Sequence, residues 1–378
     1  MNSFPIKIPK FLLPNSSVDL CKWATIACDQ HTQDRQFWSS LQQLVGSSPS
    51  TLNLMLPEIY LNDLGHKGEA LKARARQIHA NMQSVLQCNL LNEHEGIVSI
   101  KRSVANGKTR SGLVISVDLE NYSFNGENVA IRASEDTVLE RLPPRVTMRD
   151  GAALDMPHIM LLYDDPYFTV EKVAAVASTP LYSFNLNMGG GHIQGSLISD
   201  GNSILTAFKN LLNISKAKYG SPFLFAVGDG NHSLAAAKQV YDRVKSRGGT
   251  YRYILCEAVN LHDPALEFEP IHRLVFAKNP QEFLQQLNKN IPTDPIAVVA
   301  YVDDFAKKQG LDVDYIHGIE HLNNLAKQKN AAKVLLKSID KSGFFPYIAK
   351  HGALPKKTFS MGEAEDKRYY LEVAKLQK

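Results

Sequence analysis

Residues 222–227 constrain this chain more than any other stretch. Pro222, Phe223, Leu224, Phe225, Ala226 and Val227 form an unbroken apolar run, and Gly228-Asp229-Gly230 follows at once. Such a run, bounded by turn residues, suits a strand buried on both faces of a sheet. From Asn231 the period changes. Leu234, Ala237, Val240, Tyr241 and Val244 fall on one helical face, and Gly248-Gly249 provide a stop after a helix over residues 231–247. The chain is thereby committed to a β-turn-α unit and to a mixed α/β fold.

The remaining patterns extend that class. Residues 39–45 and 69–90 read as helices, the second with Leu71, Ile78, Met82, Val85 and Leu86 near helical spacing. Residues 97–100, 112–117 and 128–131 read as strands between glycine and asparagine turns, and 253–259 as the strand after the helix. Residues 151–200 add short strands, with Gly189-Gly190-Gly191 at a hairpin turn. With 378 residues, the chain exceeds one small domain. We expect two lobes: 1–185, α+β with an arginine-rich segment, and 186–378, α/β and carrying the Asp229 turn.

Charge and cysteine usage narrow the classes of function. A formal charge of +4 without a basic tail gives no reason to expect nucleic-acid or membrane partners. Cys21, Cys28, Cys88 and Cys256 are scattered, lack zinc-ligand spacing and suit free thiols in a reducing compartment. No signal-peptide pattern opens the sequence and no long apolar window follows, so a cytoplasmic location is expected.

The turn carries the chemistry. Free backbone N–H groups and the positive helix end at Asn231 favour an anion, and Gly228 and Gly230 admit ligand atoms close to the backbone. Asp229, at the end of a central strand, suits a general base toward a hydroxyl or a Mg²⁺ ligand, and His232 a donor to a phosphoryl oxygen. The same residues also suit an ordinary tight turn capped by Asn231 or Asp229.

A second cluster, Arg132, Glu135, Arg141, Arg145, Arg149, Asp155, His158 and Asp164-Asp165, suits either forks on anionic oxygens or a solvated mixed-charge face. The same two readings apply to Lys357, Lys367 and Arg368. Cys28-Asp29-Gln30-His31 has neither zinc spacing nor a base partner for the thiol, which favours a structural or substrate-orienting role. Gly189-Gly190-Gly191-His192 opens no helix and is no dinucleotide fingerprint, and no GxxxxGK[ST] sequence occurs.

Several motifs in order carry a resemblance. They are 23–30 (Trp23 to Gln30), 49–52, Arg132-Ala133-Ser134-Glu135, Pro143-Pro144-Arg145, Pro157-His158-Ile159, 228–233, Pro270-Ile271-His272-Arg273 and 357–364. Together they resemble the domain of unknown function 1015 family from near residue 10 onward. That family's Asp-Gly-His-His-Arg turn is similar to one in free serine kinases, which share a ParB/sulfiredoxin-like scaffold and phosphorylate free L-serine. The resemblance implies that scaffold within a larger two-lobed protein, and phosphotransfer to serine or a related small hydroxyl compound.

Asp229, Gly230 and His232 match the family turn, whereas Asn231 and Ser233 replace a histidine and the arginine. Catalysis is expected from Asp229 and His232, with Mg²⁺ at Asp229. Phosphate binding is expected from Gly230, Asn231, Ser233, Arg132, Arg145, Arg273 and Lys357, and substrate binding from Asp29, Gln30, Glu135, His158 and His272. Loss of the arginine calls for another cation and suits a donor as small as pyrophosphate, with a nucleotide as the other choice. The same residues suit a phosphoserine phosphatase. A nucleotide-dependent binding protein of ParB type would need a DNA-reading element that the sequence does not display.

Overall fold

In the computed structural model, which describes residues 4–126, 128–176 and 178–377, the apolar run becomes the strand Phe225–Asp229 inside a large sheet. The strand starts later than the run does. Pro222 has no N–H to give, the Phe223 N–H donates to Ser215 Oγ, and that of Leu224 to the Ala130 carbonyl. Its neighbours are Met160–Tyr163, antiparallel, and Ile131–Ala133, parallel. The strand expected over 128–131 therefore lies further along, where its register meets Phe225.

Beyond Met160–Tyr163 the sheet continues through Tyr253–Asn260, Thr109–Asp118, Val98–Ser103, His192–Ile198 and Ser178–Asn185. Both parallel and antiparallel pairs occur, and a mixed α/β class is what the chain forms. The glycine turn at 189–191 does join a hairpin, of Ser178–Asn185 with His192–Ile198. It packs against protein: a Cβ on Gly190 would lie 2.5 Å from the Tyr369 hydroxyl.

Helices cover this sheet with the faces their sequences supply. Asn231–Val244 buries Leu234, Ala237, Val240, Tyr241 and Val244, the stripe read from its spacing. Gly201–Tyr219 buries Ile204, Phe208 and Leu211, and Phe208 sits 5.1 Å from Tyr163 and 5.4 Å from Phe225, ring centre to ring centre. Arg35–Val45 starts earlier than expected, because the Asp34 side chain accepts the Phe37 N–H. Glu69–Gln87 stops sooner, just before Asn89 turns left-handed at φ 52°.

The chain divides into two compact units, and not at residue 185. One comprises Met1–Ala133, Thr137–Leu266 and Glu363–Lys378; the other comprises Ser134–Asp136 and Glu267–Gly362. A cut at 185 would split the hairpin just described, severing a hydrogen-bonded strand pair. The segment Glu363–Lys378 also leaves the expected C-terminal lobe. Tyr369–Tyr370 pairs with Thr25–Ile26, and Ala374–Lys375 with Leu154–Asp155. In the second unit, Phe268–Val275 pairs with Val313–His317, Ala332–Val334 and Phe359–Met361, over a core that includes Val275, Phe283, Leu287 and Val302.

Candidate active site

Asp229 ends its strand, and Gly230 turns the chain into the helix with φ 76°. Only glycine fits there without strain: the conformation is left-handed, and a Cβ would stand 2.9 Å from Ile159 Cγ1 and 3.0 Å from its Cα. No side chain caps the helix at Gly230. The Gly230 N–H donates to Asp229 Oδ1 at 2.8 Å, leaving Oδ2 toward Lys367, whose Nζ lies 3.4 Å away. Asp229 keeps about a fifth of its side chain exposed (21%), so ligand atoms can reach the carboxylate.

Sheet register fixes the surroundings of Asp229. Asp229 and Glu257 both pair with Met160, forming one row across three strands. Glu257 is buried and bonded to Arg368 at 2.6 Å, with Arg110 at 3.4 Å; Arg368 in turn bonds Glu372 at 2.6 Å. Burial alone would raise the Glu257 carboxyl, but the Arg110 and Arg368 guanidinium groups hold it below its ordinary value. This buried lattice of charges anchors the segment that carries Lys367.

The other turn residues have defined partners. His232 Nε2 accepts the Val138 N–H at 3.2 Å, so a neutral ring carries its proton on Nδ1. Any donation from His232 to a phosphoryl oxygen therefore has to come from Nδ1. Asn231 Nδ2 donates to Thr137 Oγ1, and Ser233 Oγ lies 3.2 Å from His158 Nε2.

His158 brings together residues far apart in sequence. Its Nδ1 bonds the Tyr370 hydroxyl at 2.8 Å, and its Nε2 lies 3.6 Å from Asp29 Oδ2. Gln30 donates to Asp29 Oδ1, and the Tyr370 hydroxyl accepts the Cys28 N–H. Burial opposes the charge on Asp29, yet His158, Arg145 and the Gln30 bond hold its carboxyl well below the usual range. Burial, with Asp29 adding to it, pushes the Cys28 thiol up to about 11, which removes the nucleophile reading. Asp29, Gln30, His158 and Ser233 are thus one cluster, and Arg145, closely paired with Glu58, acts on it electrostatically.

Four expected residues take structural roles instead. Arg132 donates to Val129 O, Ser221 Oγ and Pro222 O and lies over the Phe223 ring, at the opposite end of the strand from Asp229. Arg273 is fully buried and bonds Asp303 and the Ile271 and Lys357 carbonyls in the second unit. Glu135 accepts the N–H groups of Lys357 and Thr358. His272 Nδ1 accepts the Leu336 N–H. Lys357 has an exposed side chain in that same unit.

The fit to magnesium is poor for the protein alone. Among the described residues no three His, Cys, Asp or Glu side chains gather as ligands. Asp229 turns its second oxygen to an ammonium rather than to another carboxylate. Tyr370 and Glu58 are what the sequence reading missed. Lys367 was read only as one charge of the C-terminal segment, suited to an anion or to a solvated face, and nothing local ties it to residue 229.

Comparisons with known proteins bear on family alone. The family described as "Protein of unknown function (DUF1015)" matches over residues 12–377. A solved structure, a conserved hypothetical protein from Pyrococcus furiosus, is 8% identical with a TM-score of 0.35, covering 68% of this chain and 93% of its own. No curated protein matches. No helix among the described residues is long and apolar enough to cross a membrane.

Proposed function

The chain belongs to the DUF1015 family, and from that premise we propose that it is a phosphotransferase acting on a small hydroxyl compound, with free L-serine as the first acceptor to test. The observation that carries the reading is Asp229, a reachable carboxylate at a strand end, set beside Lys367 and the N-terminal end of the helix Asn231–Val244. Asp229 accepts the proton of the acceptor hydroxyl. The hydroxyl oxygen forms the new bond to phosphorus while the donor's bridging P–O bond breaks, and the donor leaves as phosphate when it is pyrophosphate, or as the nucleotide one phosphate shorter when it is ADP or ATP. Lys367 and the positive end of the helix dipole offset the negative charge of the donor.

Lys367 takes the place that Arg132 and Arg273 were expected to fill. Magnesium enters the proposal as the companion of the donor phosphates, which supply the oxygens the protein lacks, and its chemistry is charge neutralisation. A ParB/sulfiredoxin-like scaffold for the sheet around Asp229 belongs to the same proposal.

The test incubates pure protein with Mg²⁺ and L-serine and, separately, pyrophosphate, ADP and ATP, following products by phosphorus NMR. O-Phosphoserine with one donor supports the reading and names the donor. Release of phosphate from O-phosphoserine, with no forward product, would replace it by a phosphatase. Silence in every arm rejects both.

A further inference from the structure

Behind Ser233 lies a cavity of about 130 Å³, walled by aliphatic side chains, including Leu56, Ile78, Met82, Met148 and Met156. That is close to the size of an apolar cavity of about 150 Å³ able to hold benzene, so a ligand of a few heavy atoms fits. Among its polar lining residues, Arg149 and Asp155 form a close ion pair with side chains only 10% and 6% exposed. The pair leaves groups unused: Arg149 Nε and Nη2 and Asp155 Oδ2 have no hydrogen-bond partner, nor does Arg145 Nε beside them.

Buried charged groups left unsatisfied are costly, and both signs are left so here. A ligand that answers only one of them leaves the other in place. The ionic groups lining the cavity also balance, Arg145 and Arg149 against Glu58 and Asp155. A free anion or a free amine would disturb that balance, whereas a zwitterion keeps it. We infer that this cavity binds a small aliphatic α-amino acid, its carboxylate on Arg149, its ammonium on Asp155 Oδ2 and its side chain among the methionines. An occupant there also meets Ser233 and His158, which line the same space. The site stands independently of phosphotransfer, since it involves neither Asp229 nor Lys367.

The test is calorimetric, on the full wild-type chain, with four ligands. L-Valine is compared with 3-methylbutanoate, which lacks its amine, with 2-methylpropan-1-amine, which lacks its carboxylate, and with L-serine, whose polar side chain gains nothing from the aliphatic wall. L-Valine should bind at least about tenfold more tightly than either half-molecule, as expected when a charged hydrogen-bonding group is removed. It should also outbind L-serine. Equal affinity for valine and 3-methylbutanoate overturns the amino-acid assignment, and absence of heat with valine overturns the site. Asp155→Asn, with folding checked by circular dichroism, should erase the preference for valine over 3-methylbutanoate. Ala236→Leu, which fills the cavity from the helix Asn231–Val244 and spares the ion pair, should abolish binding; valine binding unchanged in that variant places the ligand elsewhere.

Discussion

The ammonium of Lys367 faces the carboxylate of Asp229 across 3.4 Å, joining two residues between which the sequence places the strand Tyr253–Asn260 and the segment Glu267–Gly362 of the second unit. The two make different predictions. Asp229→Asn removes the proton acceptor and should lower serine phosphorylation about a hundredfold or more, the usual contribution of a general base. Lys367→Met should chiefly raise the KM for the phosphate donor. Steady-state kinetics separates the two, and an Asn variant within about tenfold of wild type rules Asp229 out as the base.

Gly230 should tolerate no side chain. Gly230→Ala meets both a left-handed backbone and the Ile159 main chain, and a loss of roughly 1–3 kcal/mol is expected from the strained conformation. Urea unfolding would register this as a lower midpoint at unchanged slope. A variant as stable as wild type would mean that the turn can reshape.

Acid should release the Asp29 contribution. The folded carboxyl lies well below its ordinary value, so its stabilisation is fully present above the unfolded pKa of about 3.9. It is lost as pH falls below that value toward the folded pKa. The stability of Asp29→Asn should therefore decline less steeply than wild type below about pH 4, followed by circular dichroism. Parallel curves would show that Asp29 is not held by His158 and Arg145 in solution.

Thiol chemistry gives a reading of the cluster that needs no substrate. With its thiol at about 11, Cys28 should react with iodoacetamide on the order of a hundredfold more slowly at neutral pH than an ordinary thiol near 8.5. Cys88, exposed at a helix end, should be alkylated first. Peptide mass spectrometry distinguishes them, and rapid labelling of Cys28 would contradict its burial beside Asp29.

Much of the fold around Asp229 was legible because its signals are local. An apolar run, two glycines and a helical stripe lie within a few turns of chain; the helix starts where those signals put it, and the strand begins at Phe225, inside the run. The partners of Asp229 and His158 were not legible, because Lys367 and Tyr370 arrive through sheet pairing with Thr25–Ile26 and through the buried Glu257–Arg368 contact. Arg132 misled for a related reason. Its charge suggested phosphate, yet its place in the strand Ile131–Ala133 directs the guanidinium to Ser221 and Pro222, where backbone and side-chain oxygens already satisfy it.

The placement of Glu363–Lys378 in the first unit also bears on how the protein is made. A ribosome must finish the entire inserted unit before it delivers Lys367 to Asp229, Tyr370 to His158 and the strand Ala374–Lys375 to Leu154–Asp155. Until then the earlier part of the first unit waits with Thr25–Ile26 and Leu154–Asp155 unpaired and Glu257 without Arg368. Chains released between the Asp229 turn and that point carry every residue of the turn but none of these partners, and their unpaired strands stay open to proteolysis.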